Sequence, residues 1–568
     1  MRAWLGRSLG LLVLAACVAT PAAQQAGPQT TLVPPVRPFR LPPRIGVSVE
    51  LPLTLQQALA MALANNKDID ESRIDREEGD YNLLAMRGLF DPTVRLNSQY
   101  QEQNTPVASA LGGSTTGALL TRIWQTDPAL SGSTPFLGGS YHIDLFSQKT
   151  FSNNTFLSLN PQFPTSLNLQ YTQPLWRGFR YDSNRHSVDV AKKNRFLTDE
   201  QFRQRVMQVV AQTERAYWEL VYAYNDLQVQ LEAVEIARQQ DESNRRQEQQ
   251  GLLAAIDVVA AQTQLANFEL NAYSAQTTLT RAENMLKTLI LAERSSAMWA
   301  SALLPATPPD MTPPLIPLAD AVIEALAARP ETAQLQISGE INQDDTKYFR
   351  ELTKPQVDLV GSYTLAGLAG PLLVQTSNPL TASFGPIIDR LNVLSTSAGL
   401  APVTFNTGAG GPPPNLVGSY SQSLSNLWAG RFPTTQVALN VSLPIRNRTA
   451  EANLGHSVAE ARRIQDQKDQ VKQGIEADVR NSMQNMQSAQ LRLDAARVAR
   501  ESAEEQYNGE QRQFQAGTST LFLVQQRQNT MITARSQERR AESDLGEAIS
   551  AFHLAIGSTL RENNINLR

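Results

Sequence analysis

The sequence predicts a mainly α protein with a membrane β component: long coiled-coil helices joined to strands of the transmembrane β-barrel kind, built from two tandem structural repeats. Three observations carry this prediction. Apolar residues step by four and three along several long stretches, short stretches elsewhere alternate apolar and polar, and the whole pattern recurs after about 265 residues.

The chain opens as an export signal. Arg2 and Arg7 precede an apolar run from Leu9 to Ala16 that small residues follow. The run closes as Leu14, Ala15, Ala16, Cys17, which resembles the lipobox of bacterial lipoproteins, where the cysteine becomes the first mature residue and carries lipid. The alternative is that Cys17 fills an ordinary signal peptide cut near Ala19 or Ala22. Residues 1–16 are thus read as signal, with lipid attachment expected at Cys17. A single cysteine also forbids an intrachain disulfide. Residues 17–52 form a proline-rich segment whose prolines at 28, 34, 35, 38, 42, 43 and 52 forbid a regular helix and predict an extended tether.

The duplication is visible residue by residue. Leu55, Ala58 and Leu63 recur 263 residues later as Leu318, Ala321 and Leu326, and at the same offset Pro92, Val94, Leu96 and Tyr100 return as Pro355, Val357, Leu359 and Tyr363. Pro174 pairs with Pro444 at 270, while Gly251 and Gln262 pair with Gly517 and Gln528 at 266. The first repeat is taken as 53–300, a linker as 301–317, the second repeat as 318–560 and a tail as 561–568.

Within each repeat the hydrophobic period switches. Val206, Val210, Thr213, Tyr217, Leu220, Tyr224, Leu227, Leu231 and Val234 trace the seam of a coiled coil. Ala261, Leu265, Phe268, Ala272, Ala275, Leu279, Ala282, Leu286 and Leu289 do the same, as do Met531, Ala534, Glu538, Ala541, Leu545, Ala548, Phe552 and Ala555. Alanine at so many seam positions implies close helix approach. Strands are expected where Val94, Leu96 and Ser98 alternate with polar neighbours, and again at Leu167 to Tyr171, Val357 to Gly361 and Val437 to Leu443. That makes four strands. The connections 103–164 and 366–433 are expected as long loops, although Tyr141, Ile143 and Leu145 alternate with their neighbours as an added hairpin would. Trp124, Trp176, Trp428 and Phe432 are candidates for aromatic girdles.

Length sets the architecture. A helix from Asp182 to Gln250 has 69 residues and measures about 100 Å at about 1.5 Å per residue. Helices at Ala254–Leu291 and Lys67–Gly88, stacked end to end, reach about 90 Å at the same rise. Each repeat can therefore set one long helix against two stacked shorter ones.

The duplicated helix–strand–strand–helix order, the strand exit Gln173, Pro174, Leu175, Trp176, Arg177, Gly178 and the turn from Gly251 to Gln262 resemble the TolC-like outer membrane efflux proteins over Leu53 to Leu560. That resemblance implies a homotrimer in which each protomer gives four strands to a shared twelve-stranded transmembrane β-barrel in outer membrane lipid of a Gram-negative-type bacterium, and its helices to a long coiled-coil α-helical barrel in the periplasm. It also implies a passive duct of a tripartite efflux or type I secretion system, fed by an inner membrane pump of RND or ABC type through a periplasmic adaptor protein. Four strands cannot close alone, since membrane barrels need about eight or more and an open edge in lipid is costly. The expected tip and adaptor contacts are Gly251, Leu252, Leu253, Asp257 and Val258 on one hairpin and Gly517, Thr518, Ser519, Leu521 and Val524 on the other. Asp257 is a candidate for a three-fold acidic ring in the lumen, or else a solvated residue at a helix start that suits the positive end of the dipole. The matching residue in the second repeat is Leu523, so the family's charged gate does not carry over.

Other functions find little support. Lys plus Arg number 50 against 54 Asp plus Glu, a net charge of −4 that is unsuited to gripping nucleic acid. The four histidines, His142, His186, His456 and His553, have no metal-ligand spacing, and no G-x-S-x-G, Walker A or Rossmann pattern is present, so neither an enzyme nor a cofactor is expected. The competing reading is a structural coiled-coil lipoprotein of the cell envelope, which would have no need of the alternating strands.

Overall fold

In the computed structural model, residues 39–108, 112–114, 116–307, 312–373, 379–403 and 411–567 are described. Cys17 and the signal segment lie outside them. In chain order the elements are β1 (Val49–Leu53), α1 (Leu55–Asn65), α2 (Lys67–Arg87), β2 (Thr93–Pro106), β3 (Ala118–Ser133), β4 (Ser140–Ser152), β5 (Phe163–Pro174), α3 (Ser183–Gln249) and α4 (Ala255–Ile290). The second half follows as β6 (Ser301–Pro305), α5 (Leu318–Ala328), α6 (Pro330–Leu352), β7 (Gln356–Ala369), α7 (Pro379–Ser397), α8 (Tyr420–Trp428), β8 (Phe432–Ser442), α9 (Arg448–Gln515), α10 (Leu521–Ile556) and α11 (Thr559–Glu562).

The two rods α3 and α9 run for 67 and 68 residues, about 100 Å each. Asp182 starts α3 as its N-cap, accepting from the Arg185 amide at 2.9 Å. Along α4, the seam residues from Ala261 to Leu286 are buried and Leu289 is half-buried, and along α10 every seam residue from Met531 to Ala555 is buried. Glu538 sits in that seam as an ion with a partner, its carboxylate 2.7 Å from Arg500 Nε on α9.

The shorter helices stack head to tail against the rods. Where the end of α4 meets the start of α2, Asn66 serves both: its Oδ1 accepts from the Asp68 and Ile69 amides, and its Nδ2 donates to the Leu289 carbonyl at 3.1 Å. Asn65 Nδ2 donates to the Ile290 carbonyl at 3.0 Å. The second repeat solves the same junction differently. Gly557 ends α10 at φ +79°, and a Cβ there would crowd the Ala328 and Arg329 backbone at 3.1–3.2 Å, so α10 abuts the α5–α6 turn only because the residue is glycine.

β1 and β6 pair in parallel as a small separate sheet beside the rods, and Tyr217 of α3 is bonded to it through the Leu53 carbonyl. The strand Ser301–Pro305 thus lies at the start of the segment read as a linker. The segment from Phe39 runs along α4, where Gln276 donates to the Pro42 carbonyl at 2.8 Å and Arg44 reaches the buried Glu283.

The main sheet corrects the expected strand number. Among the described residues it has six strands, not four, in the order β2-β3-β4-β5-β7-β8, each pair antiparallel. The extra two, β3 and β4, occupy the stretch 103–164 expected as a loop, and among the described residues they have no counterpart in the second repeat. The other stretch, 366–433, contains α7 and α8. The expected four strands per protomer are therefore corrected to six.

Candidate functional site

Strands place successive side chains on opposite faces, and here all six strands agree on which face is apolar. One face carries Val94, Leu96 and Tyr100 of β2, Trp124 and Leu130 of β3, Tyr141, Ile143 and Leu145 of β4, Leu167 and Leu169 of β5, Val357, Leu359 and Leu365 of β7, and Val437, Leu439 and Val441 of β8. The other carries Arg95, Asn97, Gln99, Asp127, Ser131, His142, Asp144, Asn168, Gln170, Asp358, Ser362, Gln436 and Asn440. The apolar face is open: Val94 is 79% exposed, Val437 72% and Leu439 59%. A solvated surface of that extent marks a face meant for lipid or a partner. Among the described residues, both outer strands, β2 and β8, have one edge without a neighbouring strand.

At its far end the apolar face turns small and polar, at Ser147, Thr165 and Gly367, and α8 lies across it. Ser423 of α8 bonds Thr165 and the Phe163 carbonyl, Asn426 donates to the Leu368 carbonyl, and Tyr420 meets Ser147. A Cβ at Gly367 would strike the Ser423 backbone at 2.3 Å, so the helix can settle there only over glycine. Of the proposed girdle aromatics, Trp124 lies tilted against Tyr100 on the apolar face with ring centroids 4.9 Å apart, Phe432 is exposed at the first position of β8, and Trp176 and Trp428 are exposed beyond the strands.

The opposite end of the molecule is made by two helical hairpins. Gly251 and Gly517 take φ +73° and +77°, the left-handed conformation that ends α3 and α9, and neither has an atom within 4 Å of a would-be Cβ. Each glycine amide closes its rod, Gly251 onto the Glu248 carbonyl at 2.9 Å and Gly517 onto that of Phe514 at 3.0 Å. The return helices begin four residues later; Thr520 caps α10 through the Leu523 amide, whereas Ala254 gives α4 no side-chain cap. Val258 and Val524 are repeat equivalents, both wholly buried, and Leu521 is buried as well. They are the pegs of the hairpins rather than contact surface. Leu252 is exposed, Leu253 half-buried, Thr518 exposed with its hydroxyl on the Gln513 carbonyl, and Ser519 is bonded to Glu510. Asp257 stands half-buried in the first turn of α4, and its equivalent Leu523 is partly exposed.

Two tip residues fall outside the expected contact set. Ile256 and Phe522 are repeat equivalents, each 71% exposed. Their signal in the sequence is position: a large apolar side chain in the first turn after the reversal, one residue off the buried stripe.

Elsewhere the two repeats are joined by polar contacts between α3 and α10. Arg540 reaches Glu219 at 2.7 Å, Arg535 reaches Glu232 at 3.1 Å, and the buried Glu214 takes Ser550 and Asn563 as partners. Burial raises the Glu214 carboxyl above the usual carboxylate range, with the two hydrogen bonds pulling the other way.

A two-faced open sheet continued by paired rods of this length is the shape of an envelope duct, and comparison with known proteins agrees. The family described as outer membrane efflux protein matches residues 58–290 and 414–558. The chain belongs to the outer membrane efflux protein family. Its members are outer membrane channels of Gram-negative bacteria that work with efflux pump components. Among solved structures, the Campylobacter jejuni CmeC outer membrane channel is 14% identical, with a TM-score of 0.60 and 90% of each chain covered. CusC is 13% identical with a TM-score of 0.61, covering 92% of this chain and 99% of its own. The open-state MtrE channel of Neisseria gonorrhoeae is 14% identical at a TM-score of 0.57, with 89% of each chain covered. At these identities the likeness establishes the efflux protein fold. No curated protein matches the chain.

Proposed function

We propose that three copies of this chain close into one outer membrane barrel, and that the assembly is the passive exit duct of a tripartite efflux or type I secretion system. The observation that carries this is the sheet: apolar on one face, polar on the other, and, among the described residues, bare along both outer edges. In lipid each bare edge costs several kcal/mol per unpaired backbone group, so the sheet has to close on other copies of itself. β2 runs away from the helical end and β8 runs back toward it, so β8 of one copy meets β2 of the next in the antiparallel sense that the rest of the sheet follows. A structural coiled-coil lipoprotein would have no use for such a wall.

In this reading the polar face lines the lumen and the rods carry the tunnel through the periplasm. The tips around Gly251 and Gly517, with the exposed Leu252, Ile256 and Phe522, receive the periplasmic adaptor, and Asp257 from three copies faces inward as an acidic ring. An inner membrane pump of RND or ABC type supplies the energy, and the duct itself needs neither active site nor cofactor. Cys17, if processed as a lipobox, adds a lipid anchor to the same membrane.

The test is native mass spectrometry of the detergent-extracted protein together with export by a Gly517→Pro variant. Proline cannot take φ +77° and lacks the amide that closes α9, a change worth about 3 kcal/mol or more in a helix. A particle of three mature chains, with the variant assembled but unable to export, is the expected result. A monomer, or normal export by the variant, would overturn the proposal.

A further inference from the structure

We infer that the closed barrel has eighteen strands, six from each of three copies, and so is as wide as the helical tunnel beneath it; this rests on the trimer proposed above. The inserted hairpin β3–β4 is the ground for it. A flap folded over the mouth would pair only near the loop end of the sheet, but this hairpin spans the full height of the wall. β3 pairs with β2 from Thr93–Ser131 to Pro106–Ala118, and its turn comes down to the point where the strands enter the helices. There Gln173 Nε2 donates to the Leu137 carbonyl at 2.7 Å, and Gly138 packs so tightly on the Gly178 carbonyl that a Cβ would sit 2.4 Å from it. Leu137 and Gly138 both have positive φ, 58° and 67°, the backbone of a tight reversal.

The hairpin also carries the wall's chemistry. Leu130 lies beside Val94 and Ile143 on the apolar face, and Asp144 beside Ala129 and Asn168 on the polar one. Gly132 faces Tyr141 across β3–β4 with the ring over it, and the Tyr171 ring covers Gly139 in the same way. Such glycine–aromatic pairs fix register in curved sheets. They also put two tyrosines at the junction end of the apolar face, where a membrane interface takes them.

Circumference then decides what the extra strands accomplish. Each copy offers four helix positions: α3, α9, and the two stacked pairs. Twelve positions at about 9.5 Å give a ring of about 114 Å. Eighteen strands at about 4.8 Å spacing and a tilt near 40° give about 113 Å. Twelve strands would reach that circumference only at a tilt of about 60°. The insertion therefore lets barrel and tunnel meet at equal width, with a backbone diameter of about 36 Å, and the strand region is not the narrow point for bulky hydrated cargo.

Single cysteines along the hairpin test this in proteoliposomes, with the unaltered chain as blank. Asp127→Cys, Ser131→Cys and Asp144→Cys should react with a water-soluble maleimide. Leu130→Cys, Ile143→Cys and Leu145→Cys should resist it, and a fluorophore there should be quenched by brominated lipid. Equal aqueous reactivity on both faces would place the hairpin outside the wall and overturn the inference. Native mass read on the same samples separates the two claims: a copy number other than three refutes the trimer, and with it eighteen strands, even if the alternation stands.

Discussion

Replacing Asn66 should loosen two helices at once. Its side chain is 6% exposed and makes three bonds, two as the N-cap of α2 and one as the donor that satisfies the end of α4. Asn66→Ala removes the cap, at about 1 kcal/mol, and leaves the Leu289 carbonyl without its partner, at about 1–2 kcal/mol more. Local opening should then be easier by about 2–3 kcal/mol, which speeds amide exchange about 30- to 150-fold. Hydrogen exchange read by mass spectrometry should show this both in the first turn of α2 and in the last turn of α4. Asn66→Asp divides the effect. It keeps an acceptor for the Asp68 and Ile69 amides but removes the donor, and it sets a negative charge against the negative end of the α4 dipole. The start of α2 should therefore stay protected while residues 287–290 exchange faster. If the aspartate variant leaves both ends as in the parent, or alanine loosens neither, then Asn66 does not couple the stacked helices.

Three further outcomes are expected. Glu214 has a folded pKa above its unfolded value of about 4.3, so its contribution to stability is present at acid pH and lost as pH rises through the raised value; thermal melts at several pH values should lose that fall in Glu214→Gln, and an unchanged slope would count against the burial argument. Gly138→Ala must relieve a 2.4 Å approach to the Gly178 carbonyl and pay for a left-handed alanine, about 1–2 kcal/mol from φ alone, so trimer yield on native gels should fall while helix content by circular dichroism is kept; parental yield would mean that the turn does not seat at the junction. Cys17→Ala should change processing and the mass of the mature N-terminus yet leave the protein in the membrane fraction, because closure comes from strand pairing; complete loss of membrane association would refute an integral barrel.

The rods were legible because a seam repeats. Ala261 to Leu286 and Met531 to Ala555 hold their stepping over many turns, and the glycines at 251 and 517 end the pattern abruptly, so the observed ends of α2, α3 and α4 lie within a residue of those expected. The hairpin was legible only in its second strand, where Tyr141, Ile143 and Leu145 alternate cleanly. β3 was hidden by Asp127 and Pro128, a pair that reads as a break and that a central strand ordinarily excludes. The structure shows how the break is absorbed. β3 pairs with β4 at Thr126–Ser147 and resumes at Ala129–Asp144, skipping the two residues between, while on its other side it stays paired to β2 straight through Asn97–Asp127 and Leu96–Pro128. Proline has no amide to give, and the ladder opens on the one side where that amide would have been needed. Pro128 meanwhile keeps its ring on the apolar face, opposite Leu96, so the interruption costs the wall a hydrogen bond without costing it its two-faced pattern. Local propensity and the tertiary register disagree at this one dipeptide, and the register prevails because pairing to β2 continues through it.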